Sequence, residues 1–188
     1  MPKILAFVGE AGSGKDTLMQ KVLSANSDLF EIISCTTRPP REGEVEGKNY
    51  FFCSNREFLR RVSRGLMLET SNFNGWYYGT CKNDISKTKI NIGVFNPEGI
   101  RNLIKHKDID LKVIYVRASD KTRLLRQLNR EENPDVNEIV RRFSADKKDF
   151  EVLPFEYITL NNETEEDLNL GTAKILKWLE LWDNKDKT

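Results

Sequence analysis

The apolar run Ile4-Leu5-Ala6-Phe7-Val8 leads directly into the glycine-rich stretch Gly9-Glu10-Ala11-Gly12-Ser13-Gly14-Lys15-Asp16-Thr17, after which apolar residues recur at helical spacing. This order of strand, glycine loop and helix restricts the fold more than any other feature of the chain. Gly9, Gly12 and Gly14 let the backbone turn back and aim its N–H groups inward, and the positive end of the following helix adds to that anion nest. Lys15 extends a point charge toward outer phosphates, and Thr17 offers a hydroxyl just beyond it. Asp16 stands where the commonest form of this pattern places the hydroxyl residue, and a carboxylate in a helix's first turn is electrostatically favourable. The whole stretch, Gly9 to Thr17, reads as a loop that cradles nucleotide phosphates.

With 188 residues the chain suits one domain-sized core carrying insertions rather than two independent domains. Thirty basic against 29 acidic side chains leave a net charge of +1, so no bulk field gathers nucleic acid or an anionic membrane and any anion site has to be local. Cys35, Cys53 and Cys81 are widely spaced, with no paired Cys-x-x-Cys and no histidine cluster, which points to neither a disulfide framework nor structural zinc. Strand-like sequence begins at the N-terminus without a signal-peptide pattern, and no apolar run reaches membrane-spanning length. The expectation is a soluble, cytoplasmic protein with neither nucleic-acid nor membrane partners.

Periodicity predicts a buried strand over Lys3 to Val8 and a helix over Lys15 to Ala25. Further short apolar runs at Lys89 to Phe95, Leu111 to Val116 and Phe155 to Leu160 are each followed by helical spacing, which favours an α/β fold with a mostly parallel sheet. Leu168, Ile175, Leu176, Leu179 and Trp182 form a core-facing helical stripe. Between the early and later strands, Ser34 to Thr88 is rich in Gly, aromatic and charged residues and reads as an inserted subdomain.

That insertion contains Ser34-Cys35-Thr36-Thr37-Arg38, a second arginine at Arg41, Gly47-Lys48-Asn49-Tyr50-Phe51-Phe52 and Tyr78-Gly79-Thr80. Arg38 and Arg41 sit in a proline-stiffened turn and offer planar forks suited to bidentate phosphate binding. Together with the glycine loop, these segments resemble the guanylate kinases, nucleoside monophosphate kinases of the P-loop class, over most of the chain. The resemblance implies a P-loop three-layer α/β fold. A single domain of residues 1–188 would divide into a core of 1–33, 89–118 and 150–188, a GMP-binding subdomain of 34–88 and a helical lid of 119–149. It implies ATP as donor, held by Gly9 to Thr17 and Asn161, with Mg²⁺ on Thr17. Arg38, Arg41, Tyr50 and Tyr78 would hold the phosphate of GMP or dGMP, while Ser34, Glu69, Thr80 and Asn96 surround its base. A guanine edge presents two neighbouring donors and one acceptor, to which the Glu69 carboxylate and the Ser34 and Thr80 hydroxyls are complementary. Catalysis would rest on Lys15, Arg38 and the lid arginines Arg126, Arg130 and one of the pair Arg141-Arg142, of which Arg142 is the choice. No oligomeric state beyond monomer or homodimer is specified.

The chain departs from the family after the insertion, where Val94 and Asn96 replace two aspartates that precede a glycine, here Gly99. Asn96-Pro97 reads as an N-cap and first helical residue. The charged stretch Ser119 to Glu151, broken at Asn133-Pro134-Asp135, otherwise reads as two solvated helices. Two alternatives remain open at this level: a phosphotransferase acting on another phosphorylated acceptor, or a non-catalytic binding module. The retained Ser34, Glu69, Tyr78 and Thr80 weigh against the first, and Lys15 and Thr17 against the second.

Overall fold

The computed structural model describes residues 1–73, 75–130 and 132–184. In chain order the elements are β1 Lys3–Val8, α1 Lys15–Ala25, β2 Leu29–Glu31, β3 Cys35–Thr36, β4 Phe51–Phe52, α2 Asn55–Ser63, β5 Met67–Phe73 and β6 Trp76–Cys81. These are followed by β7 Ile90–Val94, α3 Pro97–Leu103, β8 Asp110–Arg117, α4 Asp120–Leu128, α5 Val136–Asp149, β9 Ile158–Asn161 and α6 Glu165–Asn184.

A five-stranded sheet has the order β2-β7-β1-β8-β9. β2 runs parallel to β7 with Leu29 opposite Ile90, and β8 parallel to β9 with Val116 opposite Leu160. Every residue of β1 is buried, the pattern of a strand whose run is apolar without alternation. The expected α/β class with a mostly parallel central sheet is therefore the one adopted, and β1 and α1 fall at the residues that periodicity marks. β9 begins at Ile158, later than the apolar run suggests, and β2 is a short strand that periodicity does not reveal, since three residues carry no readable period.

Two compact units make up the chain. The first comprises Met1–Ala6, Asp28–Lys112 and Leu153–Glu156. Within it a four-stranded sheet, β4-β3-β6-β5, occupies the insertion. Side chains of α3 and of the residue before it bind this sheet through three bonds: Asn72 N–H to Glu98 Oε2 at 2.8 Å, Asn96 Nδ2 to Ser71 Oγ at 2.8 Å, and Asn102 Nδ2 to the Thr70 carbonyl at 2.7 Å. Asn96 caps α3 as the sequence implies, its Oδ1 accepting from Gly99 N–H at 2.8 Å with Pro97 as the first helical residue. Cys35, Phe58 and Met67 form a small core under the insertion, with the free thiols Cys53 and Cys81 packed against it.

The second unit comprises Phe7–Ser27, Val113–Val152 and Tyr157–Thr188. Here α6 packs on α1 and buries Ile175, Leu179 and Trp182, three members of the predicted stripe. α4 and α5 pack together, and Asp135 at the proline break caps α5 by accepting from Glu138 N–H at 3.0 Å. No helix among the described residues is long and apolar enough to cross a membrane.

Candidate functional site

The phosphate loop lies in the second unit. Gly12 and Gly14 both take the left-handed backbone, at φ 80° and 81°, which side-chain-bearing residues rarely adopt. Space enforces the same choice, because a methyl group on Gly12 would collide with the Arg123 carbonyl and one on Gly14 with the Asn162 amide. Gly14 serves as N-cap of α1 without any side-chain bond to the first turn, so the amide donors at the helix start remain available to an anion. Lys15 opens the helix with its side chain mostly buried, its ammonium 3.5 Å from the exposed Asp16 carboxylate. Thr17 is exposed in the same turn, where an oxygen ligand for a hard cation bound to phosphates would stand. Ser13 is fully buried and its hydroxyl has no partner among the described residues.

Side chains from outside the loop hold it in shape. Asn162, 3% exposed, donates to the Ser13 carbonyl at 2.9 Å. Arg126 donates to the carbonyls of Gly12 and Ser13 at 3.3 and 3.2 Å. Arg123 donates to the Ala11 carbonyl at 3.1 Å and to Glu10 Oε1 at 2.8 Å, while Ala11 N–H donates to Asp146 Oδ2 at 2.6 Å. Tyr115 OH donates to the other oxygen of Glu10 at 3.2 Å, and burial pushes its own pKa up to about 12. Of the predicted donor residues, Gly9 to Thr17 and Arg126 thus come together. Asn161 is exposed on β9, and its neighbour Asn162 is the asparagine that touches the loop. Arg130 is exposed past the end of α4. Arg141 is committed to Glu138 through bonds of 2.7 and 2.8 Å, whereas Arg142 forms no ion pair among the described residues.

Several residues expected around the acceptor are brought together in the first unit by strand register. β3 pairs with β6, placing Thr36 opposite Tyr78, and β5 pairs with β6, placing Glu69 opposite Thr80. Ser34 Oγ lies 3.3 Å from Thr80 Oγ1, so three residues spread over the insertion form one polar cluster. Glu69 is 5% exposed; burial pushes its carboxyl up to about 7, against the opposing hydrogen bonds from the Thr80 hydroxyl and amide. Gly99 leaves room for this carboxylate, since a methyl there would come within 3.0 Å of Glu69 Oε2. Asn96 is engaged at both ends of its amide, with Ser71 and with the amide of Gly99.

Beside this cluster, Arg38 sits 5.4 Å from the Tyr50 ring centre, and the Tyr50 and Tyr78 rings meet edge-on at 6.0 Å. Arg38 is 7% exposed and one of its terminal nitrogens lies 2.8 Å from both carboxylate oxygens of Glu44. Glu44 also accepts from the Arg41 amide at 2.8 Å; although desolvation acts the other way, these bonds hold its carboxyl below the ordinary carboxylate range. Arg38, Tyr50 and Tyr78 thus lie together, with Arg41 tied to the same Glu44 through its backbone amide. Glu44, Asp146 and Asn162 are given no role by the sequence reading, which takes Arg123 for a solvated helical residue although it is 1% exposed, because charged and amide residues on amphipathic segments look alike whether buried or solvated. Spacing could have singled out only Glu44, three residues after Arg41.

A family model described as guanylate kinase matches residues 1–175. A guanylate kinase of Sus scrofa is 32% identical over 157 residues, covering 80% of this chain and 78% of that protein. One from Thermotoga maritima is 30% identical over 174 residues, covering 89% and 83%. One from Nostoc sp. is 44% identical over 78 residues, a match spanning 42% of this chain and 39% of that protein. Among solved structures, a guanylate kinase from Anaplasma phagocytophilum superposes with a TM-score of 0.71 over 96% of this chain and 85% of its own, at 21% identity, which shows a shared fold.

Proposed function

The chain belongs to the guanylate kinase family of nucleoside monophosphate kinases, whose general function is phosphorylation of GMP, and from that premise we propose that it transfers the γ-phosphoryl group of ATP to GMP or dGMP. The observation that carries the choice of acceptor is the buried cluster of Glu69, Ser34 and Thr80. A carboxylate that accepts from two adjacent ring donors, beside hydroxyls that donate to one acceptor, matches guanine and mismatches adenine. Such a site discriminates strongly, because the wrong base leaves buried polar groups unpaired.

A phosphate oxygen of the acceptor attacks the γ-phosphorus, the bond to the bridging oxygen breaks, and ADP leaves. The acceptor phosphate is already anionic near neutral pH, so no side chain has to remove a proton from a hydroxyl. The protein's work is positioning and charge neutralisation. Lys15 and the amides at the start of α1 hold the donor phosphates, Arg126, Arg130 and Arg142 neutralise charge on the transferring group, and Arg38, Arg41, Tyr50 and Tyr78 hold the acceptor phosphate. Thr17 supplies the hydroxyl for a magnesium ion carried by the donor phosphates; when bound, that ion would offset their negative charge. The donor nucleotide's outer edge is assigned to Asn161 and its surroundings. Within a single domain, residues 34–88 serve as the acceptor subdomain and 119–149 as the lid. A soluble cytoplasmic enzyme, monomeric or homodimeric, is the setting this reading implies.

A coupled ADP-release assay with ATP and Mg²⁺ across GMP, dGMP, AMP, dTMP and CMP tests it. Turnover confined to GMP and dGMP is expected; release with only a non-guanine acceptor, or with none, refutes it.

A further inference from the structure

Arg123 is a guanidinium that the transfer reaction does not use, yet it is 1% exposed. Its charge is balanced by three carboxylates: Glu10 at 2.8 Å, Asp120 at 3.1 Å and Asp146 at 3.5 Å. The ring of Phe143 lies against it, 4.8 Å from the guanidinium carbon. Burying such a group costs several kcal/mol that pairing only offsets, so an apolar side chain on this face of α4 would pack at least as well. What the arginine adds is direction. Its Nε binds the Ala11 carbonyl at 3.1 Å, while the carboxylate it pairs with, Asp146 on α5, takes the Ala11 amide at 2.6 Å. Both backbone polar groups of one loop residue are thereby tied to side chains of two helices. Directly after it, Gly12 lies so close beneath the Arg123 carbonyl that no side chain fits. Gln127, one turn further along α4, adds a longer bond of 3.5 Å to the same Ala11 carbonyl.

We propose that Arg123 and Asp146 are a positioning pair that presets the front of the phosphate loop, Glu10 to Gly12, for the outer phosphates of the donor. This rests on the reading of the loop as the ATP site. The fork geometry of the guanidinium is essential to it, because an ammonium cannot bind the Ala11 carbonyl and the Glu10 carboxylate in one plane. Misplacing the loop would weaken donor binding without disturbing the acceptor.

The test is steady-state kinetics of the full chain, with ATP affinity measured independently by calorimetry. Arg123→Leu and Arg123→Lys are both expected to raise KM and Kd for ATP roughly ten- to a hundredfold while KM for GMP stays within about twofold of wild type. Asp146→Ala should act in the same direction, and the Arg123→Leu, Asp146→Ala double variant should lose less than the sum of the two. A merely structural role would reduce the active fraction, lowering kcat with both KM values unchanged, and that result overturns the proposal. So do equal rises in both KM values, or a lysine variant indistinguishable from wild type. Should Arg123→Leu fail to fold, Arg123→Lys and Asp146→Asn decide by the same split. A wild-type protein that binds no ATP would sink the reading of the loop and this inference with it, whereas wild-type binding matched by the variants would sink the inference alone.

Discussion

The phosphate loop and the acceptor cluster are built by opposite means. The groups proposed to bind the donor come from consecutive residues, Gly9 to Thr17, and chiefly from their backbone amides, so they are local in sequence, and tertiary contacts from Arg123, Arg126, Asp146 and Asn162 hold the loop's shape. The acceptor cluster takes side chains from across the insertion and depends on strand register to bring Glu69 opposite Thr80 and Thr80 beside Ser34. A second contrast concerns charge. At the loop the arginine with most partners, Arg123, is paired with Glu10, while in the insertion a carboxylate, Glu44, holds Arg38, the arginine proposed for the acceptor phosphate.

Lys15→Met breaks the comparison at its donor end and should have the largest effect, lowering kcat by about a hundred- to a thousandfold with an unchanged thermal melt. Near-normal turnover in that variant would remove Lys15 from its role. Glu44→Ala should instead appear as stability, because it leaves Arg38 buried without its counter-ion; a loss of about 3 kcal/mol in urea unfolding is expected. Glu69→Gln should raise KM for GMP roughly tenfold and abolish its pH dependence. In the wild type that dependence has a defined sign. The carboxyl, raised by burial from 4.5 to about 7, must ionise to accept from guanine, so KM for GMP falls as pH rises through about 7. The same shift makes the folded state hold a proton that the unfolded state has released between 4.5 and about 7, so the Glu69 contribution to stability is present below that window and lost as pH rises through it. A flat KM profile would show that Glu69 does not face the base. The smallest effect belongs to Asn96→Ala, which removes the α3 cap and the Ser71 bond and should cost about 1 kcal/mol in the same unfolding measurement.

Much of this was legible in the residues. β1, α1 and the loop between them could be read because an unbroken apolar run, positive-φ glycines and a helical period are each local signals. The Asn96-Pro97 cap was legible for the same reason. The expectation that Arg38, Arg41, Tyr50, Glu69, Tyr78 and Thr80 serve an acceptor rested chiefly on resemblance, since singly each is an ordinary surface or core residue. Arg123, Asp146 and Asn162 gave no usable signal. A buried arginine on an amphipathic helix has the same neighbours in sequence as a solvated one, and only packing reveals which it is.

The sequence by itself determined an α/β core with a glycine loop between its first strand and first helix, and it carried the motifs of the guanylate kinase family. Those properties follow from backbone geometry and residue chemistry over short spans. Tertiary structure decided which polar groups are buried and therefore costly to leave unpaired: Glu69 with its raised pKa, Arg38 held by Glu44, and Arg123 clamped to Ala11. Burial is a property of the whole fold, because it depends on which distant segments exclude water from a given atom.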